Sequence, residues 1–96
     1  MIDHLVLFAA KDDASPEDIE DLLETLRGLR NSVESVVDLS VGEDFSGRGG
    51  GYTHGLFARF EDRDGLTQYL KHPEHVAGVE KLDALTTGRL VVDYES

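Results

Sequence analysis

Seven consecutive residues, Tyr69 to His75, place one phenol and two imidazoles around a proline. These are the side chains of proton transfer. An imidazole titrates near neutral pH, and a phenol shielded from water can donate a hydrogen bond to an oxygen that is gaining negative charge. A carbonyl compound losing a proton from the adjacent carbon would use both, with His75 as general base and Tyr69 as donor to the enolate oxygen. His4 is a further candidate, either orienting His75 or binding substrate. Against these assignments stands a purely structural use: a histidine at a helix break caps backbone groups, and a tyrosine anchors a core edge through its hydroxyl. His72 and His75, three residues apart, also raise a metal reading, but Pro73 between them and the lack of a third ligand at fixed spacing argue against one. No metal and no cofactor are expected.

The elements that must hold these groups can be read in order. Ile2 to Ala10 is rich in branched and aromatic residues, and alternation puts His4, Val6 and Phe8 on one face with Leu5 and Leu7 on the other. Ser15-Pro16-Glu17-Asp18 reads as a helix start, with serine as N-cap, proline in the first turn and acids beside the positive end of the dipole. That helix is expected to run to about Arg30 on an apolar stripe of Ile19, Leu22, Leu23, Leu26 and Leu29. Val33 to Val41 and Tyr52 to Glu61 read as the second and third strands, with His54 as a partly exposed strand residue. The glycine-rich stretch between them lacks the Gly-Lys-Ser/Thr ending of a phosphate loop and reads as a flexible hairpin connection. Pro73 disfavours helical geometry at His72, so two helical pieces are expected, one from about Asp64 to Leu70 and one that starts at Pro73 and is stopped by Gly88. The second should turn Val76, Val79, Leu82 and Leu85 inward, and Arg89 to Glu95 should form the last strand.

Composition narrows the classes of function. The chain has 96 residues, enough for one domain over 1–96 and no second core. Its 20 acidic residues against 9 basic ones, a net charge of −11, make nucleic acid and an anionic membrane surface unexpected partners. Cysteine is absent, which removes disulfides, thiolate nucleophiles and cysteine-based metal sites. There is no basic stretch ahead of the first apolar run and no run of membrane-spanning length, so a cytoplasmic location is expected.

The order βαββαβ describes a ferredoxin-like α+β fold, a four-stranded antiparallel sheet with helices on one face. The strands, however, are apolar on both faces. If the helices cover His4, Val6, Ala58 and Val92, then Leu5, Leu7, Phe57 and Val91 are left facing the other way. A second copy of the sheet would cover them, so a homodimer with facing sheets is expected.

Three stretches, Asp3-His4-Leu5-Val6-Leu7-Phe8, Gly51-Tyr52-Thr53-His54 and Tyr69 with His72-Pro73-Glu74-His75-Val76, together resemble the stress-responsive A/B barrel (Dabb) family. The resemblance extends over nearly the whole chain. It implies a dimeric α+β barrel with a cleft between helices and sheet. It also implies, through the polyketide cyclase branch of that family, a cofactor-free aldol cyclisation whose tyrosine and histidine fall on Tyr69 and His75. Every histidine here matches one in that branch. A small carbonyl ligand in such a cleft would meet His4, Val6 and Phe8, Leu22 and Leu26, His54, His72 and Leu82. The departure is that Leu22, Leu23 and Leu26 on the first helix, and Leu85 and Thr86 on the second, stand where that branch carries aromatics. The family also contains members with no assigned chemistry, so a stress-associated dimer without turnover is the second expectation.

Overall fold

The computed structural model describes residues 1–96, which form seven elements. These are β1 (Ile2–Ala10), α1 (Pro16–Ser32), β2 (Asp38–Glu43), β3 (His54–Phe60), α2 (Arg63–Lys71), α3 (Pro73–Leu85) and β4 (Thr86–Glu95). The strands make one antiparallel sheet in the order β2-β3-β1-β4, with the helices on one side, which is the ferredoxin-like α+β arrangement expected. No helix is long and apolar enough to cross a membrane.

Local chemistry sets the helix boundaries. The Ser15 hydroxyl accepts from the Asp18 backbone N–H at 3.1 Å, and Pro16 follows it in the first turn. Asp62 caps α2 in the same way, accepting from the Gly65 N–H at 2.8 Å. Proline at position 73 holds His72 extended, at φ −64° and ψ 135°, so one residue closes α2 and opens α3. The break between two helical pieces was legible from that proline.

Several expected boundaries and faces are corrected. Helix α1 continues to Ser32, Val33 closes it as a buried cap, and the second strand starts only at Asp38. Helix α3 ends at Leu85 and is stopped by Thr86 rather than by Gly88, the Thr86 hydroxyl donating to the Leu82 carbonyl at 2.6 Å. Gly88 lies inside β4, beside a register shift between Ala9 and Ala10. On α3 the cavity is lined by His75, Val79 and Leu82, spaced at i, i+4 and i+7, and Leu85 packs against the core as expected, while Val76 lies one position off that stripe and is 47% exposed. Finally, Val91 pairs with Val6 and Val92 with Leu5, so Val91 faces the helices and Val92 faces away, the reverse of the expected parity.

The core lies between α1 and the covered face of the sheet, with Leu22, Leu29, Phe8 and Phe60 almost completely buried. Replacing Leu22 by alanine is expected to cost about 2–5 kcal/mol of stability, because a fully packed leucine leaves a void that the rigid sheet cannot close. Urea denaturation measures that cost. The opposite face of the sheet presents Leu5, Leu7, Phe57, Leu90 and Val92 around an apolar trough of about 510 Å³. The connection between β2 and β3 is a hairpin loop organised by Asp44, whose carboxylate accepts from the Ser46 N–H and hydroxyl and from the Gly47 N–H. Glycine is required at position 49, where a Cβ would stand 2.3 Å from the Tyr52 carbonyl oxygen.

Candidate active site

The sheet register assembles the floor of a cavity from three rungs. His4 lies opposite Asp93, Val6 opposite Val91 and Phe8 opposite Arg89, all on the helix side. Helices α2 and α3 supply the roof through Tyr69 and Leu70, then His75, Val79 and Leu82. Leu26 of α1 and Leu56 of β3 close one side, and the space enclosed is about 230 Å³. Both proton-transfer candidates, Tyr69 and His75, thus meet in one largely apolar chamber.

Their relative placement follows from the helix break. Tyr69 lies in the last turn of α2 and His75 in the first turn of α3, so the kink at His72 folds the two rings together at 4.4 Å between centroids. The break also leaves the Leu70 carbonyl without a helical partner. The His75 Nδ1 lies 3.2 Å from that oxygen. A carbonyl can only accept, so Nδ1 carries the proton and donates, which leaves the Nε2 lone pair free as a base.

Tyr69 is 1% exposed, with Phe60 at 5.0 Å and His4 at 5.8 Å between ring centroids. Burial pushes its hydroxyl up to about 12, so the phenol keeps its proton throughout the neutral range. No protein group takes up that hydroxyl, yet no fully buried side-chain polar atom is left without a partner. The O–H therefore opens into the cavity, where a ligand oxygen can accept from it. His4 is buried at the base, and its Nδ1 hydrogen-bonds the Asp93 carboxylate, which turns the rest of the ring towards Tyr69.

Burial pushes the His75 ring below the ordinary histidine value, and the charges of Arg89 and the neighbouring histidines act in the same direction, against the Leu70 hydrogen bond. NMR titration of the His75 ring is therefore expected to give a midpoint below about 6.5. The unfolded chain takes up that proton first as the pH falls. The stability linked to His75 is therefore complete above about 6.5 and is lost on acidification towards the lower folded-state value. A midpoint above 6.5 would show the ring to be more solvated than this geometry allows.

Of the residues expected to line the cleft, His4, Val6, Phe8, Leu26 and Leu82 are brought together with the Tyr69 and His75 pair, and three are not. Leu22 is wholly buried in the core behind the cavity wall. His72 is occupied as a cap, its Nδ1 accepting from the Glu74 N–H at 3.1 Å, so Pro73 directs it into the backbone rather than into the chamber. His54 is buried rather than partly exposed. It stacks on Phe8 at 5.1 Å with its Nδ1 2.7 Å from the Thr53 hydroxyl, and burial lowers its basicity. No three His, Asp or Glu side chains gather closely enough to hold a metal ion.

Arg89 and Asp93 were not expected at the site. The alternation of Arg89, Val91 and Asp93 at every second position could have placed them there, but Leu90-Val91-Val92 is apolar throughout and hides which parity faces the helices.

A ferredoxin-like domain whose helix break presses a free phenol and an imidazole into an apolar chamber defines the class of protein. Residues 2–96 match the model of the stress responsive A/B barrel domain (Dabb), and the chain belongs to that family. Among its relatives, the stress-response A/B barrel domain-containing protein HS1 of Arabidopsis thaliana is 32% identical over 98% of this chain and 88% of its own length. The olivetolic acid cyclase of Cannabis sativa is 26% identical over 97% of this chain and 94% of its own length. Among solved structures, the protein At3g17210 of Arabidopsis thaliana superposes with a TM-score of 0.88 at 31% identity, covering 100% of this chain and 95% of that one. A dimeric ferredoxin-like protein of unknown function from Thermobifida fusca gives 0.86 at 25% identity, covering 97% and 88%.

Proposed function

We propose that this protein binds a small, mostly apolar carbonyl compound in the helix–sheet cavity and moves a proton on it without a cofactor. The observation that carries the reading is the buried Tyr69 hydroxyl, unclaimed by any protein group, beside an imidazole anchored through Nδ1 to Leu70. In the reaction, His75 Nε2 takes a proton from the carbon next to the carbonyl while the Tyr69 O–H donates to the enolate oxygen. The enolate carbon can then take the proton back from His75, or attack a second carbonyl of the same molecule, whose C=O π bond opens to an alkoxide that His75 protonates, the bond-forming step of an aldol cyclisation. The cyclase relative supports this class of chemistry.

The working unit in this proposal is a homodimer. Its support is the apolar outer face of the sheet, with Leu7, Leu90 and Val92 each 44% or more exposed, and the dimeric description of the structural neighbour. A second reading, a stress-response dimer without turnover, is favoured by the description of the HS1 relative. Deuterium exchange separates the two. With butyrophenone in D₂O, a proton-transfer enzyme accelerates loss of the α-proton NMR signal, whereas a dimer without turnover leaves the solvent rate unchanged.

A further inference from the structure

Arg89 is the one cationic side chain with a permanent charge, and Asp93 the one carboxylate, in a cavity otherwise walled by aliphatic and aromatic groups. The register places it level with Phe8, while Asp93 lies four residues further along the same strand, about 13 Å away. The chamber therefore has a positive end and a negative end. At the negative end Asp93 is already engaged by His4. At the positive end the guanidinium is only partly satisfied. One Nη contacts Asp83, whose side chain is 60% exposed, and the remaining N–H groups of the fork have no protein partner. An exposed carboxylate of this kind is hydrated and held weakly, so it can share or yield the guanidinium. Arg89 and His75 line the same cavity, so the cation and the base face one ligand space.

We propose that Arg89 is the receptor for a carboxylate on the ligand, so that the compound this cavity takes is a small keto acid rather than a neutral ketone. The planar fork matches a carboxylate with two parallel hydrogen bonds. With the carboxylate held there, the carbonyl lies further along the chamber towards Tyr69 and His75, and the apolar part of the ligand rests on Val6, Val79 and Leu82. This assignment rests on the cavity being a ligand site, as argued above, and adds the charge of the ligand.

The test compares two stable probes that differ by the carboxylate, 4-oxo-4-phenylbutanoate and butyrophenone, by calorimetric or NMR titration of the intact protein. The wild-type protein is expected to bind the keto acid at least about tenfold more tightly. Arg89→Leu is expected to abolish that preference, and Arg89→Lys, which keeps the charge without the fork, to restore part of it. Arg48→Leu in the β2–β3 loop removes the same charge at a distance and is expected to keep the preference, which separates a local contact from net charge. Equal binding of the two probes by the wild type, or an undiminished preference in Arg89→Leu, overturns the carboxylate assignment and leaves the cavity reading standing. Binding of neither probe overturns both.

Discussion

Deuterium exchange at the α-carbon of bound butyrophenone is expected to slow by about 10²- to 10⁴-fold when His75 is replaced by alanine. Tyr69→Phe is expected to slow it by about 10²-fold or more. The two losses have different origins. His75 removal takes away the acceptor of the proton, and water in an apolar chamber is a poor substitute. Removal of the Tyr69 hydroxyl leaves the ring packed against Phe60 and His4, so it deletes one donor with little change in shape. That donor acts on charge that develops only as the proton leaves, so its loss should appear in the rate more than in ligand affinity. Rate against pH gives a second check: activity should rise as His75 loses its proton, below the ordinary histidine value, and remain level until the phenol ionises at about 12. Equal exchange in the wild-type and His75→Ala proteins would remove the catalytic assignment. Neither change threatens the fold, since His75 is only half-buried on the first turn of α3 and the phenylalanine keeps the core volume.

The second large effect concerns the open face of the sheet. Leu7→Asp together with Val92→Asp is expected to convert the proposed dimer into a monomer. In a two-fold interface each substitution occurs twice. Leu7 is 44% and Val92 57% exposed in the isolated chain, so a partner would cover about half of each side chain. Half of the usual ~1.5–3 kcal/mol for a buried aliphatic residue is about 1 kcal/mol, and four such contacts give about 4 kcal/mol. That weakens association by roughly 10³-fold before the cost of desolvating four carboxylates is added. Equilibrium sedimentation at micromolar concentration reads the change. A wild-type protein that sediments as a monomer would sink the proposal, as would a double variant that still sediments as a dimer. Both positions face away from the helices, so the subunit itself should keep its far-UV circular dichroism.

Most of the architecture was legible in the sequence because its signals are local. Ser15-Pro16 sets the start of α1 through a capping hydroxyl, Pro73 forces the break at His72 through a clash with the preceding backbone, and alternation in β1 sorts His4, Val6 and Phe8 from Leu5 and Leu7. Apolar residues on both faces of the strands pointed to a partner sheet, and the three histidine-bearing stretches pointed to the family that residues 2–96 match.

What depended on pairing across the chain was not legible. Val91 and Val92 are both apolar, so only the register of β4 against β1 decides which faces the helices, and that same register carries Arg89 and Asp93 into the cavity. The fate of each histidine was likewise tertiary. His72 and His75 are the same residue type three positions apart, yet the kink commits one to capping Glu74 and turns the other against Tyr69. The sequence by itself determined where the chain bends and which groups are available for proton transfer, because bends and caps are governed by neighbours within a few residues. Which of those groups meet, and what charge stands with them in the cavity, was decided by strand register and helix packing, which act over separations of up to 93 residues, from Ile2 to Glu95.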